Sequence, residues 1–299
     1  MDDDLDLASI LFREGMKQEE GNAMNKHILV TNDDGVLAPG LLALAHEMRK
    51  LGKVSILAPD RNWSGGGNVK TLDRALRVRE FHLEDGTRAF ASDGAPSDCV
   101  ALATLGYIKE PIDIVVSGIN AGANLGHDVT YSGTVTAAME AVISGLPGVA
   151  VSLEVPEGHV GSIDFRTAAH AAGTVVRKVL ENGLHQEILL NINVPFLELE
   201  QLRGFRVTRQ GLRVYHSRLD ERIDPRGRPY YWIGGDAPTG VAELGTDVGA
   251  LAEGYVSVTP LQLDLTAYRA LSDINTWEWR AQNPSEVSLQ KQSISVAMD

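Results

Sequence analysis

The chain has 299 residues, with 27 Lys and Arg against 40 Asp and Glu and a net charge of −13. That length supports a large buried core without disulfide or metal staples, and the negative balance argues against a surface built to neutralise a nucleic-acid polymer. The single cysteine, Cys99, excludes an intramolecular disulfide and a thiolate zinc cluster, so a reducing, cytoplasmic setting is expected.

Residues 1–23 carry seven acidic against two basic side chains and lack the cationic and apolar regions of a signal peptide. They read as an acidic, mobile leader; the alternative is an amphipathic helix from Leu7 to Met16. The longest apolar region, Thr134 to Leu153, is broken by Glu140, Gly145, Pro147 and Gly148, and predicts no membrane span.

From His27 onward, β-branched runs alternate with Ala-rich stretches of helical period, the pattern of a parallel sheet covered on both faces. His27 to Thr31 predicts a buried strand, and Pro39 opens a helix running to about Lys50. Val54 to Ala58 predicts the next strand. Arg74 to Phe81 and Arg88 to Ala91 predict a β-hairpin, and Pro96 to Leu105 a helix. Ile112 to Ser117 predicts a strand, Gly118 to Gly133 a long loop, and Thr134 to Ser144 a helix. Val149 to Leu153, a helix from Ile163 to Glu181 and a strand from Ile188 to Val194 complete the rhythm. The fold class is therefore α/β, a doubly wound, mostly parallel sheet over residues 24–195, with a smaller strand-rich extension over 196–299.

Asn32-Asp33-Asp34-Gly35 falls at the carboxyl end of the first strand, where ligands bind in open α/β sheets. Adjacent carboxylates raise each other's pKa unless a cation sits beside them, and a divalent metal does this most simply; solvated turn acids are the plainer alternative. Ser64, in a Gly-rich turn, and Asn120, in Ser117-Gly118-Ile119-Asn120, are expected on the same side of the sheet. Together these would form an all-oxygen shell suited to Mg²⁺, Mn²⁺ or Ca²⁺. Ser132-Gly133-Thr134 opens the Ala-rich helix and reads either as an ordinary N-cap or, with the neighbouring loops, as a phosphate site. Cys99 reads as a buried structural thiol, Asp264 as a turn residue, and His127 as the one histidine in the long loop. A dinucleotide oxidoreductase is disfavoured, because Gly-x-Gly-x-x-Gly is missing after the first strand. A nucleotide sensor without turnover remains open.

Asn32-Asp33-Asp34-Gly35, Ala58-Pro59-Asp60-Arg61, Gly94-Ala95-Pro96-Ser97-Asp98-Cys99, Ser117-Gly118-Ile119-Asn120, Tyr131-Ser132-Gly133-Thr134, Asn191-Ile192-Asn193-Val194-Pro195 and Gly254-Tyr255-Val256-Ser257-Val258-Thr259-Pro260-Leu261 occur in order between Met24 and Tyr268. In combination they resemble the SurE family of 5′/3′-nucleotidases. The resemblance implies a Rossmann-like core and a C-terminal segment used in oligomerisation, as a homodimer or homotetramer. It implies hydrolysis of nucleoside 5′- and 3′-monophosphates, extending to short polyphosphate. One divalent ion per subunit would be held by Asp33, Asp34, Ser64 and Asn120. The residues themselves, read chemically, put Asn124, Ser132, Gly133 and Thr134 on the phosphate. The acidic leader and His127 depart from the family's commonest pattern, and neither touches an expected ligand.

Overall fold

The computed structural model describes residues 26–277 and Trp279. The expected leader, with its alternative helix from Leu7 to Met16, lies outside the described residues. Contacts divide the chain into a unit ending at Leu263 and a second beginning at Asp264.

Six parallel strands form the centre of a nine-stranded sheet. They are β1 (His27–Thr31), β2 (Lys53–Pro59), β4 (Arg88–Ser92), β5 (Ile114–Ala121), β6 (Gly148–Glu154) and β7 (Ile188–Pro195). β1 is buried at every position, as its unbroken apolar run requires of a strand covered on both faces. β3 (Val78–His82) lies antiparallel on β4 at one edge. At the other, β11 (Val256–Gln262) runs antiparallel to β7 and parallel to the short β8 (Phe205–Val207). The spatial order is β3-β4-β2-β1-β5-β6-β7-β11-β8. The chain passes from β1 to β2 on one side and reaches β5 on the other, so β1 and β5 flank the topological switch point.

Helices cover both faces. α1 (Pro39–Met48) and α4 (Arg166–Asn182) place Leu41, Leu44, Met48, Ala168, Ala172 and Val176 against Ile28, Val30 and Val116. On the opposite face α2 (Pro96–Leu102) and α3 (Gly133–Ile143) bring Cys99, Val100, Ala137 and Ala141 against Leu29, Leu57 and Val115. Ile28 and Leu29 are fully buried, each contributing about 1.5–3 kcal/mol of transfer free energy. Small alanines along α3 and α4 let both helices approach the sheet closely.

Local chemistry sets most boundaries. Pro39 occupies the first turn of α1, and Ser132 caps α3 by accepting the Val135 N–H at 3.2 Å. α2 ends at Leu102, short of the expected Leu105, because the chain continues as a wider π turn over Ala103–Tyr107 and leaves it at Gly106. β5 runs on to Ala121, further than the expected Ser117. A 3-10 turn over Gly126–Thr130 shortens the long loop that was expected to reach Gly133.

In the C-terminal region, β8 and β11 join the main sheet, while β9 (Arg213–Ile223) and β10 (Pro229–Gly240) pair as a long antiparallel hairpin of their own. α5 (Asp247–Ala252) precedes β11 and is capped by Thr246, whose hydroxyl accepts the Gly249 N–H at 3.0 Å. In the second unit Asp264 accepts from the Thr266 N–H at 2.8 Å and from the Tyr268 hydroxyl, the turn role expected of it, and α6 (Tyr268–Asn275) follows.

Candidate active site

The turn after β1 is closed by Asn32, whose side chain donates to the Gly35 carbonyl at 3.0 Å and accepts the Gly35 N–H at 3.2 Å. Gly35 has φ +103°, a conformation that glycine adopts without a Cβ clash. The turn aims Asp33 at the N-terminus of α3. Asp33 is 3 % exposed, and its carboxylate accepts from the Thr134 hydroxyl. Burial raises its pKa; the Thr134 hydroxyl and backbone N–H groups, including those of Thr134 and Gly133, oppose the rise. A Cβ on Gly133 would stand 2.7 Å from the Asp33 Cβ and 2.9 Å from Oδ2, so only glycine permits this approach.

Asp34 is half-buried beside it. Desolvation and the neighbouring Asp33 charge push its pKa up to about 6. Asn62 Nδ2 donates to Asp34 Oδ1 at 3.3 Å. Neither carboxylate forms an ion pair with Lys, Arg or His among the described residues. Two adjacent, partly dehydrated carboxylates without a cationic partner fit a bound cation.

The other two expected ligands lie in the loop after β2 and near the end of β5. Trp63 N–H donates to the Asp33 carbonyl at 2.8 Å, and Gly67 N–H to the Tyr131 carbonyl at 3.1 Å, which ties the loop carrying Ser64 to both β1 and the start of α3. Ser64 itself is exposed. Asn120, near the end of β5, donates its amide to the Gly122 carbonyl at 2.6 Å, which leaves Oδ1 as its free acceptor. No group of three or more His, Cys, Asp and Glu gathers as a metal site among the described residues. Two carboxylates, a hydroxyl and an amide oxygen are donors that would suit a hard cation.

The residues expected on phosphate divide. Ser132 accepts from Val135 and retains its own O–H for donation. Thr134 is fully buried and gives its hydroxyl to Asp33. Asn124 is 8 % exposed, and its amide donates to Ser152 Oγ at 2.7 Å, leaving one N–H. Cys99 is buried, with its thiol pKa pushed well up by desolvation, which suits a structural residue. His127 is exposed.

Four supporting residues were given no individual role from the sequence. Asn62 holds Asp34, as described. Asn193 grips the Asn124 backbone on both sides: Oδ1 accepts the N–H at 2.8 Å and Nδ2 donates to the carbonyl at 3.0 Å. Asn191 donates to the same carbonyl at 2.9 Å, and Ser152 takes the Asn124 side chain. The available signal was Asn191-Ile192-Asn193 itself, amides alternating with an apolar residue in a strand too buried to leave them in water.

An open, mostly parallel sheet with paired carboxylates beside its switch point defines a doubly wound α/β protein whose candidate site lies at the carboxyl end of β1. Comparison with known proteins narrows this. The family model described as "Survival protein SurE" matches residues 28–217. A protein named 5′-nucleotidase SurE from Chloroflexus aggregans is 52% identical over 253 residues, covering 85% of this chain and 99% of that one. Another of that name from Geobacter sulfurreducens is 49% identical over 258 residues, covering 86% and 96%. The crystal structure of the SurE protein from Aquifex aeolicus superposes with a TM-score of 0.71 at 42% identity, covering 83% of this chain and 98% of that one. The chain belongs to the SurE family, as its ordered motifs implied.

Proposed function

We propose that this protein is a divalent-metal-dependent phosphomonoesterase that hydrolyses nucleoside 5′- and 3′-monophosphates, and short polyphosphate, to release phosphate. The observation that carries the reading is the pair Asp33 and Asp34, partly dehydrated, unpaired with any cationic side chain among the described residues and set at the switch point beside the start of α3. The relatives named 5′-nucleotidase support the substrate class.

Asp33, Asp34, Ser64 and Asn120 would hold one Mg²⁺, Mn²⁺ or Ca²⁺ per subunit. The chemistry such an ion supplies is polarisation of the phosphoryl group and a lowered pKa for water. Thr134 and the α3 N-terminus fix the Asp33 carboxylate in one orientation. The free O–H of Ser132, the remaining N–H of Asn124 and the N-terminal turn at Gly133 and Thr134 would orient the phosphate and offset charge on its equatorial oxygens. Hydrolysis passes the phosphoryl group to water, and the ester oxygen leaves on the nucleoside. Water rather than Asp33 is the nucleophile in this reading, since a carboxylate committed to a cation is a poor one; trapping a phosphorylated Asp33 would overturn it.

The test is phosphate release from 5′- and 3′-monophosphates after chelation, then with each divalent ion restored singly. Restored release that disappears in Asp33→Asn supports the reading. No release with any ion, from a folded protein, moves the function to nucleotide sensing.

The same reading includes a homodimer or homotetramer. Its support is the β9–β10 hairpin, which exposes Leu219, Ile223, Tyr231, Trp232 and Ile233, more apolar surface than a lone hairpin leaves in water. Light scattering on Trp232→Ser/Ile233→Ser tests it: an unchanged assembly state counts against the hairpin as the contact. No helix among the described residues is long and apolar enough to cross a membrane.

A further inference from the structure

Beyond the cation site, the carboxyl ends of β5, β6 and β7 border an open cavity of about 680 Å³. Gly122 forms part of its wall, and the Gly122 carbonyl accepts the Asn120 amide, so the cavity begins beside an expected cation ligand. Apolar side chains, with Phe196 and the exposed Leu197 among them, form much of its wall. The charged side chains that line it are Glu154, Glu157 and Arg213. Arg213 is committed elsewhere, donating to Asp128 Oδ2 at 2.8 Å, and Glu157 is exposed. Glu154 is different. It closes β6, is half-buried, and its carboxylate makes no hydrogen bond or ion pair with the described residues. Desolvation pushes its pKa up, with Arg213 opposing. A carboxylate losing water without gaining a partner is destabilising unless a ligand donates to it.

The sheet register says which part of a ligand lies there. Asn120 pairs with Ser152, and Glu154 stands two residues further along the same strand. With strands about 4.8 Å apart and a rise of about 3.3 Å per residue, the Asn120 and Glu154 backbones are about 8 Å apart. In a nucleoside 5′-monophosphate, the group at that remove from the phosphate is the sugar, and the base lies beyond it. A carboxylate accepting from vicinal hydroxyls is a common way of binding ribose.

We propose that this cavity is a ribonucleoside subsite in which Glu154 accepts hydrogen bonds from the ribose 2′- and 3′-hydroxyls of a nucleoside 5′-monophosphate while the apolar wall at Phe196 and Leu197 receives the base. The inference rests on the nucleotidase reading above. It makes the protein selective for ribose over 2′-deoxyribose through one side chain that is neither a cation ligand nor a phosphate contact.

The experiment compares kcat/KM for AMP, 2′-deoxy-AMP and IMP in the parent, Glu154→Ala and Glu154→Gln, alongside calorimetric titration with adenosine and 2′-deoxyadenosine. The parent should prefer AMP to 2′-deoxy-AMP by about tenfold, the lower range for hydrogen bonds to a charged group. Glu154→Ala should bring that ratio close to one, and Glu154→Gln, which keeps an acceptor oxygen, should retain part of it. A merely structural role would lower both substrates alike and leave the ratio intact, which overturns the proposal. Loss of AMP-over-IMP discrimination in place of ribose discrimination also overturns it, since Glu154 would then read the base. If the parent releases no phosphate from any nucleotide, the nucleotidase reading fails by itself. The titrations then decide the subsite: adenosine bound more tightly than 2′-deoxyadenosine by the parent but not by Glu154→Ala upholds it, and equal binding overturns it.

Discussion

Thr134, in the first turn of α3, donates its hydroxyl to the carboxylate of Asp33, 101 residues earlier at the end of β1. Both side chains are buried, so the bond joins the strand that carries the candidate cation ligand to the helix whose N-terminus faces it. Removing the donor leaves a dehydrated carboxylate with fewer partners. Thr134→Val should therefore destabilise the protein by about 1.5–3 kcal/mol and weaken divalent-ion binding, with Thr134→Ser restoring both. Denaturant unfolding with and without the ion checks it; an unchanged midpoint in Thr134→Val would show that the bond is dispensable.

Gly133 makes that approach possible. Alanine is a better helix former than glycine by about 1 kcal/mol, yet its Cβ would stand 2.7 Å from the Asp33 Cβ. Gly133→Ala must therefore push the Asp33 main chain or the start of α3 aside, so it should lower stability and lose divalent-ion affinity by at least about tenfold. Circular dichroism and calorimetric ion titration separate the two effects, and unaltered affinity would mean that the Asp33 carboxylate need not sit where it does.

The paired carboxylates make ion binding depend on pH with a definite sign. Asp34 is raised from 3.8 to about 6, so between those values the ion-free folded chain holds more protons than the unfolded one. Its stability therefore falls as pH rises through that window. A divalent ion must displace those protons, so the rise in Tm it produces should be small at about pH 5 and larger at about pH 7.5. In Asp34→Asn the dependence should flatten. Equal shifts at both pH values in the parent would contradict the assignment.

Asn193 fixes the loop between β5 and the 3-10 turn by holding both backbone groups of Asn124. Asn193→Ala would strand a buried N–H and weaken the hold on the carbonyl, at about 1–3 kcal/mol. Because the same loop places Asn124 and borders Asn120, kcat should fall with it. Asn193→Asp keeps the acceptor and loses the donor, so it should lie between. Stopped-time phosphate assays at saturating nucleotide would reveal a variant that is destabilised but fully active, the outcome against a positioning role.

Much of the molecule is written in local pattern. The unbroken apolar run of β1, Pro39 at the head of α1, Ser132 at the head of α3 and the alternation of strands with Ala-rich helices suffice for a doubly wound α/β fold, because burial and capping act over a few residues. Asp33-Asp34 at a strand's carboxyl end announces a charged site from adjacency alone. What the sequence could not supply was partnership across distance. That Thr134 serves Asp33, that Asn193 clamps Asn124 and that β11 returns antiparallel to β7 depend on which strands lie side by side, and register is set by the packed sheet. Glu154 shows the same division. Its sequence position marks only a strand end, and only the tertiary structure leaves its carboxylate half-dehydrated, unpartnered and facing a cavity beside Asn120.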